Sequence, residues 1–255
     1  AARLERDETT LPIDLSKRFL YRIFTQGSFK KGGRFYRGWW QNVPKEYRPY
    51  ITIDEGFTSE YDYSQLNPHM LYYSMNKKMG EEDAYSRVLD GEHRDIVKQA
   101  FNAMIQADTQ LRACPENIDI DKIDISWIDL RERILIAHKP IASLFFQGTG
   151  NAMQFEDSQI VENILLQTTA SKTPALPIHD SFIMRRQYAS DLEEMMRRAF
   201  HSRFGEDIPV SSEIIIEPPR LFEDDGTPRT DEMAAEDREH SQWFDRNVMW
   251  MHREI

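Results

Sequence analysis

The sequence predicts an α+β fold in which an antiparallel β-sheet packs against helices. Segments 50–63 and 174–184 each consist of two short apolar stretches around a tight turn, a pattern that predicts β-hairpins. Segments 94–107 and 191–204 repeat apolar side chains at helical spacing and predict amphipathic helices. With 255 residues, the chain is long enough for one large domain or two small ones.

In the first half of the chain, the first predicted element is a helix over 14–24, which ends before a run of glycines. The first hairpin has strands at 50–53 and 58–63, and a helix follows over 68–79. Residues 117–130 mix isoleucines with aspartates and predict a strand or loop with a solvated acidic side. The alternative of a cation site there lacks a glycine turn to organise the carboxylates.

Helix 94–107 is the clearest element in the sequence. Its polar side carries Arg94, Lys98, Asn102 and Gln106, four residues apart. Its apolar side carries Val97, Ala100, Phe101, Met104 and Ile105. The pattern predicts that one face is buried and that two cations lie one turn apart on the other.

In the second half of the chain, a helix is predicted over 147–167 after a Gly-Thr-Gly entry. The second hairpin has His179-Asp180-Ser181 at its apex. Helix 191–204 ends at Gly205, and 214–216 is predicted to be a buried strand.

Composition excludes several classes of protein. The chain is 40% hydrophobic and 29% charged, which is typical of a globular protein with a core rather than of a disordered one. No apolar run reaches the length of a membrane span, and no secretory signal is visible. One cysteine, Cys114, rules out an internal disulfide framework. We therefore expect a cytoplasmic protein without a membrane partner.

Charge is distributed unevenly along the chain. The net charge of −11 argues against a surface coated for nucleic acid, but residues 223–255 alone contribute −6. Residues 28–48 carry a net +5, interleaved with six aromatic side chains. This composition suits a phosphate backbone and stacked bases. Composition alone, however, favours another interpretation, a surface hairpin whose aromatics lie in the core.

Two aspartates at hairpins carry the chemistry. Asp62 ends the first predicted hairpin and Asp180 lies at the apex of the second. If the two strands are adjacent, both carboxylates could share hard metal ions, which prefer oxygen ligands. A metal pair of this kind supports phosphoryl transfer, and Arg94 with Lys98 would clamp a triphosphate.

Five motifs in order resemble the palm and fingers of family A DNA polymerases, the class of bacterial DNA polymerase I. They are Gly33-Arg34 with Gln41-Asn42-Val43-Pro44 and Arg48, then Asp62-Tyr63-Ser64-Gln65-Leu66, Arg94-x-x-x-Lys98, Gln147-Gly148-Thr149, and His179-Asp180. The resemblance extends from about residue 33 to residue 216. It implies a palm with an antiparallel sheet, reduced fingers, and a thumb that is absent or minimal.

The resemblance implies roles position by position. Asp62 and Asp180 would hold two Mg²⁺ ions, which Mn²⁺ could replace, with the Tyr63 carbonyl as a candidate further ligand. The nucleoside triphosphate would contact Arg94, Lys98, Gln65, Asn67, Asn102 and Gln106. The primer-template would contact Arg34, Gln41, Asn42, Arg48, Gln147 and His179. Taken singly, Arg94 or Lys98 would be part of a surface ion pair. Gln147 would be a helix cap, and His179 would be a strand histidine with its hydrogen bonds satisfied.

The implied domain boundaries follow the motifs. Residues 1–32 would be an N-terminal helical segment, either a thumb remnant or a linker. Residues 33–79 and 141–222 would be the two parts of the palm, separated by fingers at 80–140. Residues 223–255 would be an acidic tail. Without a thumb, the enzyme would hold duplex weakly, so we expect low processivity, a protein partner, or a fragment of something larger.

Three departures from the family pattern concern the sugar. Asn67 stands where the family usually has a glutamate that blocks a ribose 2′-hydroxyl, Asn102 and Gln106 stand where aromatics are expected, and Ser181 follows His-Asp in place of glutamate. His-Asp-Ser is more similar to single-subunit phage and mitochondrial RNA polymerases, so ribonucleotides are expected to be accepted.

The implied function is therefore a DNA polymerase active in DNA replication, and the compactness would suit a phage or mobile-element origin. One alternative is a primase or small RNA polymerase of the same fold. Another is a degenerate polymerase fold that only binds nucleic acid as a subunit.

Overall fold

A five-stranded antiparallel sheet organises the fold. The structure is a computed structural model that describes residues 13–213. Four strands of the sheet follow the order β3-β4-β6-β5, and β7 pairs with β4. These strands are β3 Thr52–Ile53, β4 Gly56–Tyr63, β5 Ala175–Ile178, β6 Ser181–Arg185 and β7 Val210–Glu213. Both predicted hairpins are confirmed, and the α+β class with them.

The described part of the chain contains five α-helices. They are α1 Leu66–Ser74, α2 Arg94–Gln106, α3 Trp127–Ala137, α4 Thr149–Ala170 and α5 Ala189–Phe204. Of these, α4 and α5 pack on the sheet. Short 3₁₀ turns occupy Trp39–Asn42, Lys45–Tyr50, Ser86–Val88, Ile120–Lys122, Lys139–Leu144 and Arg186–Tyr188. No helix within 13–213 is both long and apolar enough to cross a membrane.

Strand β4 has two chemically different faces, because successive side chains of a strand point to opposite sides. Tyr61 and Tyr63 are buried against the helices, and the Tyr63 hydroxyl donates to the Met196 carbonyl of α5 at 2.6 Å. Glu60 and Asp62 lie on the other face. The strand therefore anchors itself in the core while it presents two carboxylates away from it.

Helix α2 buries the apolar side that its sequence predicts. Val97, Ala100, Phe101 and Met104 have no solvent exposure. Near it, the buried His138 joins two parts of the core through Tyr72 Oη, 3.2 Å from Nδ1, and the Ala84 carbonyl, 2.9 Å from Nε2. Burial lowers the pKa of His138 to about 4. The ring is therefore neutral, a structural part of the core.

A smaller apolar cluster supports the second hairpin from the outside. It consists of Trp40, Val43, Ile51, Ile178 and Ile183. The Trp40 indole nitrogen donates to the Pro177 carbonyl at 2.9 Å. Two residues after Pro177 the hairpin turns, so this cluster fixes the turn that carries Asp180.

The helix predicted over 14–24 is wrong. Strand β1, Tyr21–Thr25, pairs with β2, Ser28–Tyr36, in a separate two-stranded sheet, so 13–32 is not the helical segment that was expected. Gln26 and Gly27 both have positive φ, +52° and +62°, as a two-residue hairpin turn requires. Phe19 and Ile23 are largely exposed, so the apolar spacing did not reflect a buried helix face.

Glycine is required where this hairpin packs on α4. Gly33 has φ +87°, and a Cβ there would lie 3.0 Å from Arg22 Nη2, Phe24 Cε1 and Ser158 Oγ. Arg22 spans the junction: its Nε donates to the Gly33 carbonyl at 2.8 Å, and its Nη2 donates to Ser158 Oγ at 2.7 Å. The hairpin is thus fixed closely against the helix.

Other predicted boundaries shift. The helix expected over 68–79 runs from Leu66 to Ser74, and residues 127–130 of the segment expected as strand or loop begin α3. Ser126 caps α3 by accepting from the Asp129 amide at 3.1 Å, a signal available in the sequence. The predicted strand at 214–216 and the acidic tail at 223–255 lie outside the described residues.

Candidate active site

Adjacent strands bring Asp62 and Asp180 together. Asp62 lies directly opposite Ser181 in the β4–β6 register, and Asp180 immediately precedes Ser181. Ile178 pairs with Ser181, so His179 and Asp180 are the two central residues of the β5–β6 turn. His179 adopts φ +57°, a left-handed conformation that histidine tolerates better than most residues. The turn thus places Asp180 next to Ser181, the residue that pairs with Asp62 on β4.

The surroundings of Asp62 disfavour the ionised form of its carboxyl group. Its pKa is raised to about 7, first because the surrounding protein reduces hydration of the carboxylate, and then because Asp180 and Glu60 repel its charge. Lys98 and the Tyr63 amide act in the opposite direction. The side chain is still accessible to solvent. A crowded but reachable carboxylate of this kind is suited to binding a cation.

Glu60 is a third carboxylate on this face that sequence reasoning missed. Its Oε1 accepts from Ser181 Oγ at 2.8 Å and from Arg48 Nη1 at 2.8 Å. The period of two along β4 could have identified it, since Glu60 and Asp62 point to the same side. Arg48, expected at the primer-template, is held here by Glu60.

Lys98 of helix α2 lies within electrostatic range of Asp62. Lys98 is exposed and close enough to Asp62 to lower the pKa of that carboxyl. Arg94 lies one turn earlier and donates to Asp83 Oδ2 from Nε at 3.1 Å and from Nη2 at 2.8 Å. Its guanidinium also lies 5.2 Å from the centre of the Tyr85 ring. Lys98 thus faces Asp62, whereas Arg94 is held by an internal carboxylate.

The Arg94–Asp83 pair favours the ionised form of both groups. Hydrogen bonding to Asp83 is the largest cause of the raised pKa of Arg94. Burial alone would raise the pKa of Asp83, but hydrogen bonds from Arg94 and the Ser86 amide lower it. Asp83 is a further residue that the sequence analysis did not single out. Nothing in the local pattern distinguishes it from a surface aspartate.

Arg34 is paired with a buried carboxylate that the sequence analysis also missed. Its Nε lies 2.7 Å from Asp157 Oδ2 on α4. Asp157 is 1% exposed, and its Oδ1 has no hydrogen-bond partner among the described residues. Burial raises the pKa of Asp157 to about 6, Arg34 counteracts that rise, and Asp180 adds to it. Arg34 therefore lies between two carboxylates, a buried one and Asp180.

The guanidinium of Arg34 is strongly stabilised in its charged form. Burial alone would lower its pKa, but the charges of Asp157 and Asp180 raise it overall. The charges of Arg34 and Asp180 also act on His179. Burial and Arg34 lower the pKa of His179, while Asp180 acts to raise it. The His179 ring meets the Tyr36 ring edge-on, with centroids 5.9 Å apart. Two of the residues expected at the primer thus lie beside Asp180.

Residues expected around the nucleotide connect residues 65–67 with residues 84–102. Gln65 Oε1 accepts from the Ala84 amide at 2.6 Å. Asn67 Nδ2 donates to Asn102 Oδ1 of α2 at 2.9 Å. Asn67 and Asn102, two of the four residues that depart from the family pattern, thus contact each other.

Gln106 and Gln147 lie near the start of α4. Gln106 packs so closely on Gly150 that a Cβ at that position would overlap its side-chain amide. Gln147 is exposed, between Phe146 with φ +60° and Gly148 with φ +61°. The sharp turn that precedes α4 thus presents Gln147 to solvent.

Gln41, Asn42 and Tyr63 are placed less directly for binding. Gln41 Nε2 donates to the carbonyls of Phe35 at 2.9 Å and Pro177 at 3.1 Å, which gives it a structural role beside the β5–β6 turn. Asn42 is exposed at the end of a 3₁₀ turn. The Tyr63 side chain is buried, so any role at a metal falls to its backbone carbonyl.

The donor set is compatible with Mg²⁺. Across 13–213 no three His, Cys, Asp or Glu side chains converge as a metal-binding group. Mg²⁺ is commonly held by one or two carboxylates together with substrate phosphates rather than by an all-protein cage. The repulsion between Asp62 and Asp180 would be relieved by a dication between them. The pair therefore suits an ion that arrives with a phosphorylated substrate.

No protein-family model matches the sequence, and no curated protein matches it. Among solved structures, the chain is similar to the POL domain of Pol1 from M. smegmatis in complex with DNA primer-template and dNTP, with a TM-score of 0.49 and 13% sequence identity. The match covers 72% of this chain and 45% of that one, so the chain spans less than half of that structure.

Proposed function

We propose that this chain catalyses template-directed nucleotidyl transfer, as a DNA polymerase of the family A type that extends a primer 3′-hydroxyl. The observation that carries the proposal is the position of Asp62 and Asp180 at neighbouring points of β4 and the β5–β6 turn, within electrostatic reach of Lys98. The ordered sequence motifs supply the reaction class, because the geometry alone would fit other phosphoryl transfers.

In the proposed reaction, the primer 3′-oxygen bonds to the α-phosphorus of a nucleoside triphosphate, and the bond to the β-phosphate breaks to release pyrophosphate. Two Mg²⁺ ions held by Asp62 and Asp180 would supply activation of the hydroxyl and stabilisation of the leaving oxygen. Asp62 must be ionised to bind a cation, and Lys98 favours that form. The Tyr63 carbonyl is the additional oxygen offered by the chain.

Helix α2 would orient the triphosphate. Lys98 is exposed opposite Asp62, and Arg94 lies one turn away on the same side of the helix. Arg94 is engaged by Asp83, so phosphate oxygens would compete with that carboxylate for the guanidinium. Asp83 thus holds Arg94 in one direction before substrate arrives, which reduces the entropy lost on binding.

Arg34, His179 and Gln147 would bind the primer end. Arg34 is held beside Asp180 by Asp157, and His179 precedes Asp180 in the same turn. A minor-groove contact from a guanidinium fixed in this way would orient the 3′-hydroxyl toward the carboxylates. Gln147 is exposed before α4 and is free to rotate toward the duplex.

A second candidate, RNA synthesis by a primase or small RNA polymerase of this fold, is favoured by one specific contact. Asn67 donates to Asn102 at 2.9 Å, where the family pattern has a glutamate and an aromatic. Neither amide side chain carries the bulk or charge expected to exclude a ribose 2′-hydroxyl. Product formation on a single-stranded template without primer would favour this candidate.

The test is extension of a labelled primer-template with Mg²⁺, using deoxynucleotides and ribonucleotides in parallel. Asp62→Asn and Asp180→Asn should each abolish extension, because either change removes one of the two carboxylates. Asp124→Asn, at an exposed aspartate outside the site, is the matched control and should extend as the wild type does. Extension that persists in both site variants, or a folded wild type that never extends, would overturn the proposal.

A further inference from the structure

The β1–β2 hairpin and the residues leading into it form a strongly cationic surface on an acidic protein. Residues 13–37 contain seven Lys or Arg and one Asp, a net charge of +6, although the whole chain carries −11. This concentration of charge exceeds anything needed to hold the hairpin in place. The excess points to a polyanion as the ligand of this surface.

Only some of these cations serve the fold. Arg22 is paired with Glu162 at 3.0 Å and Arg34 with Asp157 at 2.7 Å, both across the junction with α4. Lys30, Lys31 and Arg37 are exposed and form no ion pair with a carboxylate in the part of the chain described by the structure. Lys31 donates to Gln26 across the turn at 2.7 Å. Arg37 lies close enough to Asp14 to help lower the pKa of that carboxyl, so Lys30 and Lys31 are the charges most available to an external partner.

Aromatic side chains accompany the unpaired charges. Phe29, next to Lys30, is 81% exposed and meets Phe24 edge-on with centroids 5.1 Å apart. Arg37 lies over the largely exposed ring of Phe19, 4.2 Å from its centre. Exposed aromatics between cations are typical of surfaces that contact sugars and bases as well as phosphates.

The hairpin connects this surface to the candidate active site. At one end of β2, Arg34 and Tyr36 lie beside Asp180 and His179. At the other end, Phe29 is five residues away along the same strand. A regular strand rises about 3.3 Å per residue, which sets an upper limit of roughly 16 Å between the tip and Arg34. The positive φ angles of Gly32 and Gly33 and the irregular register with β1 shorten this part of β2. Successive nucleotides of one strand are spaced about 3.4 Å apart, so the tip lies within about five base pairs of Arg34.

We propose that the β1–β2 hairpin tip, through Lys30, Lys31 and Phe29, binds the sugar-phosphate backbone of the primer-template duplex within about five base pairs of the reacting end. The inference rests on the proposed function, which supplies the duplex. It assigns duplex binding to a two-stranded sheet, part of which lies in the segment expected to be a thumb remnant or a linker. Backbone contacts of this kind carry no sequence information, as a template-directed enzyme requires.

The anchoring of the hairpin supports this role. Arg22, Arg34 and the tight approach of Gly33 to α4 fix the base of the hairpin to the same helix that carries Asp157. The lysines are therefore held at a set distance from the carboxylates. Affinity for duplex should then depend on duplex length with a step near the position of the tip.

The test measures binding of fluorescein-labelled primer-templates with 3, 6, 9 and 12 base pairs by anisotropy, without nucleotides. The full chain is compared with Lys30→Glu/Lys31→Glu and with the matched control Lys77→Glu/Lys78→Glu, an exposed lysine pair after α1. Wild type and control should gain affinity from 3 to 9 base pairs. The hairpin variant should lose that gain and bind the longer duplexes about tenfold more weakly, with a salt slope smaller by about 2.

Equal binding by the two lysine variants would overturn the proposal, whether both match the wild type or both are weakened. Preference of the wild type for anionic phosphatidylserine vesicles over duplex, lost on Lys30→Glu/Lys31→Glu, would also overturn it. The outcome is independent of catalysis, because binding is measured without nucleotides. If Asp62→Asn still extends primers, the proposed function fails while the binding result stands.

Discussion

Arg34 Nε lies 2.7 Å from Asp157 Oδ2, and this ion pair joins the β1–β2 hairpin to α4 beside the turn that carries Asp180. Asp157 is almost completely buried, whereas Arg34 is partly accessible. The pair thus links a hidden carboxylate to the edge of the candidate active site. Its contribution to folding can be separated from any catalytic role.

We expect Arg34→Met and Asp157→Leu each to lower the free energy of unfolding by roughly 2–3 kcal/mol, since each leaves a poorly solvated charge without its partner. The double variant should be less destabilised than the sum of the two, because it leaves no unpaired charge. Urea denaturation of the four proteins measures this coupling. Strictly additive losses would show that the two residues act independently.

Lys98 should control the titration of Asp62. Its positive charge favours the ionised carboxylate, so Lys98→Met should raise the pKa of Asp62 above its value of about 7. Glu60→Gln removes a repelling charge and should lower the pKa of Asp62. In single-nucleotide addition, the acidic limb of the pH profile of kcat/KM should move to higher pH in the first variant and to lower pH in the second.

A titration of the Asp62 carboxyl carbon by NMR in metal-free protein checks the same shifts without catalysis. Lys77→Met, which removes an exposed lysine elsewhere, should leave the titration where it is. Identical titration curves for Lys98→Met and the wild type would contradict the proximity of Lys98 to Asp62.

Sugar selection should depend on Asn67. Replacing Asn67 with Glu restores the side chain that the family pattern has there and introduces charge and bulk next to Asn102. We expect the ratio of ribonucleotide to deoxynucleotide incorporation to fall by about tenfold or more, measured as relative kcat/KM for single addition. Asn117→Glu, at an exposed position outside the site, is the control for added charge. An unchanged ratio in Asn67→Glu would remove Asn67 from sugar selection.

Gly33→Ala should loosen the hairpin from α4. The added Cβ would meet three atoms at 3.0 Å in a backbone conformation with φ +87°. We expect a loss of about 2–3 kcal/mol in stability, against about 1 kcal/mol for Gly27→Ala, where φ is also positive but no atom lies within 4 Å. Thermal or urea denaturation measures both. Equal losses would mean that backbone conformation alone matters at Gly33.

Much of the site follows from local patterns, and the remainder depends on tertiary pairing. The hairpins around Asp62 and Asp180 were predictable because apolar strands flank short polar turns. The cationic face of α2 was predictable because helical periodicity separates Lys98 from the buried Val97.

Asp157, Asp83 and Glu60 were missed because their roles come from partners distant in sequence or across a strand. A buried aspartate on a helix has the same local pattern as an exposed one until its arginine is known. The false helix over 14–24 has a related cause: an apolar spacing of three and four residues was taken as a core face, although Gln26-Gly27 is a hairpin turn.

The pairing of β4 has a consequence for how the protein acquires its site. The strand that carries Asp62 is bordered by β6 on one side and β7 on the other, and both arrive more than 110 residues later in the chain. During synthesis, the edge of β4 that pairs with β7 therefore stays unpaired beside Asp62 until residues 210–213 have been made. Contacts between such distant segments slow folding. Aggregation is thus most favoured while only the first half of the chain has been made.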